Sequence, residues 1–185
     1  MIILESERLL FREHEPGDLD AFCAMEADAE VRRYVGGAPR SRADAERKFR
    51  NTHLRRAKAR LALRATIFKP DGRYIGYCGL FPNVGSRGPV AGEAALAFYL
   101  AREYWGRGLA TEAGRAFIEF GFGQLHLARI VATVEVGNAV SLRVLEKLGF
   151  ALTGTETGVR SFHHFELANR GRKRAGVKPA EGESS

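Results

Sequence analysis

Midway along the chain the hydrophobic pattern changes its period, and that change limits the fold more than any other feature. From Leu61 to Leu100 the apolar residues come in strand-like runs: Leu61 to Phe68, Tyr74 to Phe81 and Glu93 to Leu100. Lys69-Pro70-Asp71-Gly72 joins the first two as a hairpin, because Pro presets one dihedral and Gly relaxes another. Asn83 to Gly92 holds three glycines and a proline, and predicts a loop before the third run. Beyond residue 100 helix and strand alternate. Thr111 to Phe122 and Ala139 to Leu148 have helical spacing, Ile130 to Val136 is β-branched, and Ala151 to Thr157 and Phe162 to Leu167 are short strands. An antiparallel front half running into β-α-β-α-β-β predicts a mixed α/β or α+β sheet in one domain.

Upstream, the first strand is predicted at Leu9 to Arg12, after the polar Glu5-Ser6-Glu7-Arg8. A helix begins near Asp18, with Leu19, Phe22, Cys23 and Glu26 on one face, all but the last apolar. A second, very polar helix begins at Ser41, which forms a capping box with Asp44, and runs to about Lys58. The 185 residues have room for a full core. The domain is predicted over 1–169. Residues 170–185 have almost no apolar side chains and are predicted to be a basic, disordered tail.

The N-terminus lacks the basic start and apolar stretch of a leader, and no apolar run approaches the ~20 residues of a membrane span. These features predict a cytoplasmic protein with no membrane partner. Cys23 and Cys78 fit no metal or disulfide pattern and are expected to be buried thiols. The five histidines form no metal motif, and His163 and His164, adjacent in a strand, point to opposite faces. No metal is expected.

Formal net charge is +7, concentrated in Arg170, Arg172, Lys173 and Arg174 and in Arg55, Arg56, Lys58, Arg60 and Arg64. Such a balance suits a polyanion, either a nucleic acid or a cofactor with several phosphates. No helix-turn-helix or RRM-like aromatic pattern accompanies it, so nucleic acid is left to the basic tail.

The most informative segment is Tyr104-Trp105-Gly106-Arg107-Gly108-Leu109-Ala110-Thr111-Glu112-Ala113, between a strand and a helix. Gly106 and Gly108 let backbone N–H groups approach a ligand, the helix start adds unpaired N–H groups, and Arg107 adds charge. A tight strand-to-helix turn would need the same glycines. No Gly-Lys-Ser/Thr follows, so this is not a P-loop. The third glycine of a dinucleotide fingerprint is also missing.

This segment resembles the acyl-CoA pyrophosphate loop of GNAT acetyltransferases, with Glu103 where an Arg or Gln is usual. Its wording is similar to the subgroup of ribosomal-protein alanine and serine N-terminal acetyltransferases. Asn138-Ala139-Val140-Ser141, followed by Lys147-Leu148-Gly149-Phe150, and the opening Ser6-Glu7-Arg8-Leu9 resemble the same subgroup. The resemblance spans roughly residues 6 to 167. It implies an α+β fold with a mostly antiparallel central sheet, helices on both faces, and a splay between the strands at 93–100 and 130–136. It implies acetyl-CoA as cosubstrate and a protein N-terminal or small-molecule amine as acceptor, admits a homodimer, and places acceptor loops at Arg32 to Pro39 and Asn83 to Gly92.

By the same resemblance Gly106, Arg107, Gly108, Leu109, Ala110 and Thr111 bind the cofactor, and Phe98, Tyr99 and Leu100 offer a backbone N–H to the thioester carbonyl. Asn138, which reads locally as a helix N-cap, contacts the pantetheine or the substrate. Ser141, which reads locally as a surface serine, protonates the departing thiolate; Lys147 is surface charge or approaches the cofactor. The usual strand Glu is replaced by Ala95, which leaves Glu93, on the same strand face, as the candidate base, ahead of Glu135 and Glu156. Two other readings compete: a basic nucleic-acid-binding module, and an acyl-CoA sensor without turnover.

Overall fold

Eight strands form one sheet in the order β1-β2-β3-β4-β5-β6-β8-β7 in the computed structural model, which describes residues 1–85 and 88–171. They are β1 Ile2–Glu5, β2 Leu9–Arg12, β3 Ala62–Phe68, β4 Arg73–Gly85, β5 Gly88–Leu100, β6 Arg129–Glu135, β7 Ala151–Glu156 and β8 Phe162–Ala168. The β5–β6 pair is parallel and the other described pairs are antiparallel. The helices are α1 Leu19–Ala27, α2 Ala29–Arg32, α3 Arg42–Lys48, α4 Leu109–Gly123 and α5 Ala139–Lys147.

Strand alternation divides the core between the two faces of the sheet. On one face α4 buries Leu109, Ala113 and Phe117 against Phe11, Leu80, Leu96 and Ile130. The rings of Phe11 and Phe117 meet edge to face at 4.8 Å. On the other face α1, α3 and the turn that follows α3 bury Phe22, Met25, Ala45 and Phe49 around Tyr77. The α+β sheet with helices on both faces is therefore as expected.

Several elements differ from the sequence reading. An additional strand, β1, precedes Leu9; it is a short edge strand whose Leu4 packs on the core. The predicted Ser41-to-Lys58 helix ends its regular part at Lys48, although Ser41 caps it as expected, with Oγ accepting the Asp44 N–H. A wider π-helical turn, Phe49–Leu54, follows and points Phe49 and His53 inward.

Asn83 to Gly92 is not an open loop: β4 and β5 continue as a two-stranded ribbon. Pro82 is tolerated there because β3 ends where Ala62 meets Leu80, so among the described residues the ribbon has no strand neighbour on that side. Arg64, counted with the basic surface, is instead buried and donates to the carbonyls of Ala57 and Ala59. Cys23 and Cys78 are both buried, as predicted. The expected tail beyond Gly171, with Arg172, Lys173 and Arg174, lies outside the described residues, as do Ser86 and Arg87. Among the described residues no helix is long and apolar enough to cross a membrane.

Candidate active site

The sheet opens where its two parallel strands part. β5 and β6 pair only at Glu93–Arg129, Ala94–Ile130 and Ala95–Val131. Beyond that point β5 stays with β4 through Leu100, and β6 stays with β8 through Glu135. A V-shaped groove of about 410 Å³ opens between them. Leu96 to Tyr99 form one wall and Ala132 to Glu135 the other; Asn138 and Ser141 also line it. The Ala101 N–H donates to the Ile75 carbonyl at 2.8 Å. Antiparallel alternation then turns the N–H groups of Phe98 and Leu100 away from β4, toward the open edge. The Leu100 carbonyl accepts the Trp105 indole N–H at 2.7 Å, which fixes the chain as it leaves the strand.

The loop after β5 carries Gly106 at φ 71° and Gly108 at φ 77°, both left-handed. Gly108 is the N-cap of α4 and supplies no side-chain cap. By contrast, Asp28, Ser41 and Asn138 each cap their helix with a side-chain oxygen. The first backbone bond of α4 runs from the Glu112 N–H to the Gly108 carbonyl. The N–H groups of Leu109, Ala110 and Thr111 are thus left at the positive end of a 15-residue helix. A Cβ at Gly106 would meet open space. The Arg107 guanidinium lies over the rings of Phe68 and Tyr104, at 4.6 and 5.3 Å.

Arg8, in the β1–β2 turn, donates to the Arg107 carbonyl and pairs with Glu112 at 2.7 Å. Glu112 also accepts the Ser6 hydroxyl and the Arg8 backbone N–H, each at 2.7 Å. Two segments that the sequence showed only as separate motifs therefore hold each other.

The remaining predicted residues divide. The Asn138 side-chain oxygen accepts the Ser141 N–H at 3.1 Å, so Asn138 is the N-cap of α5 and Ser141 sits in its first turn. Glu93 lies at the closed end of the V, paired with Arg129 and accepting Asn83 Nδ2 at 2.9 Å; it is not among the groove-lining residues. Glu135 does line the groove, but Arg160 binds it and lowers its pKa. Glu156 pairs with His164 on β7 and β8, away from the groove.

Sequence reasoning missed a buried ionic cluster on the α1–α3 side. Glu26 is 2% exposed and accepts four hydrogen bonds. Lys48 Nζ at 2.8 Å and the Tyr77 hydroxyl at 2.9 Å reach Oε1; Arg40 Nε at 2.8 Å and Arg32 Nη1 at 3.3 Å reach Oε2. Burial pushes the Glu26 carboxyl up, but Lys48, Tyr77 and Arg32 hold it below its ordinary pKa. Its signal was a lone carboxylate on the apolar face of α1.

Residues 8–151 match the family model described as Acetyltransferase (GNAT) domain, a span that includes the loop, both groove walls and α5. The uncharacterized N-acetyltransferase p20 of Bacillus licheniformis is 32% identical over 158 residues, covering 83% of this chain and 85% of that protein. The chain belongs to the GNAT acetyltransferase family. It is an N-acetyltransferase. Solved structures carry the same fold: a GNAT acetyltransferase from Bacillus anthracis has a TM-score of 0.78 at 22% identity, over 91% of this chain and 98% of that one. RimL, described as a ribosomal L7/L12 α-N-protein acetyltransferase in complex with coenzyme A, has a TM-score of 0.76 at 14% identity, over 91% and 98%. In this acetyltransferase both strand walls of the groove and the uncapped helix start belong to one continuous matched segment.

Proposed function

We propose that this N-acetyltransferase moves the acetyl group of acetyl-CoA directly onto an amine within a ternary complex. The observation that carries the reading is the pairing of a splayed β5–β6 groove with α4, a long helix whose N-terminus ends in a glycine instead of a capping side chain. Acetyl-CoA supplies the activated acetyl thioester. The N–H groups of Leu109, Ala110 and Thr111, with Gly106 and Gly108 clearing the approach and Arg107 and Arg8 adding charge, suit its pyrophosphate. The open edge of β5 at Phe98 and Leu100 offers N–H donors to charge developing on the carbonyl oxygen. Ser141, at the first turn of α5, donates a proton to the departing thiolate.

Cys23 and Cys78 are buried outside the groove, and burial raises both thiol pKa values, so neither is a nucleophile for a covalent acetyl intermediate. Glu93, Glu135 and Glu26 are each tied to a cation. The proton of the amine is therefore assigned to water, and the amine reacts in its neutral form.

The test varies acetyl-CoA against amine while released thiol is measured. Intersecting double-reciprocal lines are expected, with kcat/KM rising with pH until the pKa of the acceptor amine. Parallel lines would overturn direct transfer. A CoA-induced rise in Tm with no thiol released across a broad amine and peptide panel would replace the enzyme reading with a sensor.

A further inference from the structure

The groove wall on the α1–α3 side carries more positive charge than the protein neutralises. Four cations, Arg32, Arg40, Lys48 and Arg160, line the groove. Arg160 is balanced by Glu135 on the opposite wall. The other three share the single carboxylate of Glu26, whose two oxygens are already filled by four donors. Burying charge without a counter-charge is costly, and the Arg32 side chain is only 4% exposed.

The arrangement is built rather than incidental. The Arg40 backbone N–H donates to the Glu26 carbonyl at 2.9 Å, which pins the 33–40 loop over α1. A Cβ at Gly36 would lie 3.1 Å from Arg32 Nη2, so glycine lets the loop close against the guanidinium. Arg40 reaches Glu26 through Nε alone. Its two terminal nitrogens have no protein acceptor among the described residues, and its side chain is 35% exposed. These cations sit on the face of the sheet opposite α4, whose N-terminus is the phosphate-ready end. Cofactor phosphates held there would leave this charge unbalanced.

We infer that the acceptor of this enzyme is an amine that also bears a carboxylate, bound by Arg40 with Arg32 and Lys48 behind it; this rests on the acetyl-transfer reading above. A guanidinium fork matches a carboxylate in shape and charge, whereas a polyamine would meet like charge.

The test is a set of isosteric acceptors assayed with acetyl-CoA by thiol release. Glutamate α-amide is compared with glutamine α-amide and arginine α-amide. The peptide amides Ser-Asp-Phe, Ser-Asn-Phe and Ser-Arg-Phe separate a free small amine from a polypeptide N-terminus. In at least one series the acidic member is expected to exceed its neutral isostere by about tenfold in kcat/KM, mostly through KM, the scale of one charge-assisted hydrogen bond. The ratio should fall toward one in Arg40→Gln and shrink at high salt. A CoA-induced rise in Tm checks that the variant is folded. Neutral or cationic acceptors used as well as acidic ones would overturn the inference and leave acetyl transfer standing. Should no amine be acetylated, the transfer reading fails and the carboxylate site is judged by calorimetry. N-acetylglutamate α-amide should then bind the wild type and lose about tenfold in Arg40→Gln. No binding, or equal binding by both proteins, overturns it.

Discussion

At the residue scale, Gly108 shows how one missing side chain leaves a helix N-terminus uncapped. It sits at φ 77° as the N-cap of α4 and leaves the following N–H groups uncapped. Gly108→Asp tolerates the left-handed backbone better than most residues, because Asp visits that region. It also places a carboxylate where an anion should bind. The variant is expected to fold, with a cost of about 1 kcal/mol, and to lose CoA binding by calorimetry; undiminished affinity would remove the loop from the cofactor site. Ser141→Ala is expected to lower kcat by about a hundredfold or more with little change in the KM for acetyl-CoA, the pattern of a contact made in the transition state. A change under about twofold would reduce Ser141 to a surface residue of α5. Glu26 and Glu93 show the limit of residue-level reading. Each is an ordinary carboxylate in the sequence. Only its surroundings decide that one gathers three cations and the other pairs with Arg129 at the root of the V.

At the element scale, the β1–β2 turn and the first turn of α4 act as a clamp. Glu112 takes the Ser6 hydroxyl, the Arg8 N–H and the Arg8 guanidinium. Burial raises its pKa, but these donors outweigh burial and hold it below the ordinary value. Its contribution is therefore present at neutral pH and lost as acid protonates it. Glu112→Gln is expected to cost about 1 to 2 kcal/mol near pH 7, discounted for the partly exposed Arg8, and to cost less at pH 3. Urea melts at the two pH values check this; an equal loss at both would show that shape, not charge, holds the clamp. The ribbon at Asn83 to Gly92 teaches the opposite lesson. Its glycines and proline spell a loop locally, yet β4 and β5 pair again there, at Val84–Pro89 and Gly85–Gly88, after a shift of register between Pro82 and Val84.

At the scale of the whole molecule, two buried imidazoles make stability depend on pH. His14 and His53 are 4% and 3% exposed, and their ring nitrogens have no hydrogen-bond partner among the described residues. Burial lowers each pKa to about 3. The unfolded chain takes up these protons near pH 6.5 and the fold resists them. Stability should thus be full above about pH 6.5 and fall toward pH 3, by at most about 1.4 kcal/mol per pH unit for each histidine. His53 is packed among Phe22, Phe49 and Tyr77, so His53→Phe is expected to keep the fold and flatten this slope; an unchanged slope between pH 6.5 and 4 would refute the assignment. The amino-acid sequence by itself determined what depends on residues a few positions apart. The Pro70-Gly72 turn, the caps at Ser41 and Asn138, the glycine loop before α4 and the identity of most strands are of that kind, because backbone dihedrals and orphan N–H groups are local properties. The hairpin turn already joined β3 to β4, and the family resemblance implied a splay between the strands at 93–100 and 130–136. The tertiary structure decided the rest of the strand order and the residues, Ala95 and Val131, after which β5 and β6 part. It also brought Arg40, Lys48 and Tyr77 to Glu26 across sequence separations of 14, 22 and 51 residues. Such neighbours are chosen by the packing of helices on both faces of one sheet, and no local pattern encodes that choice.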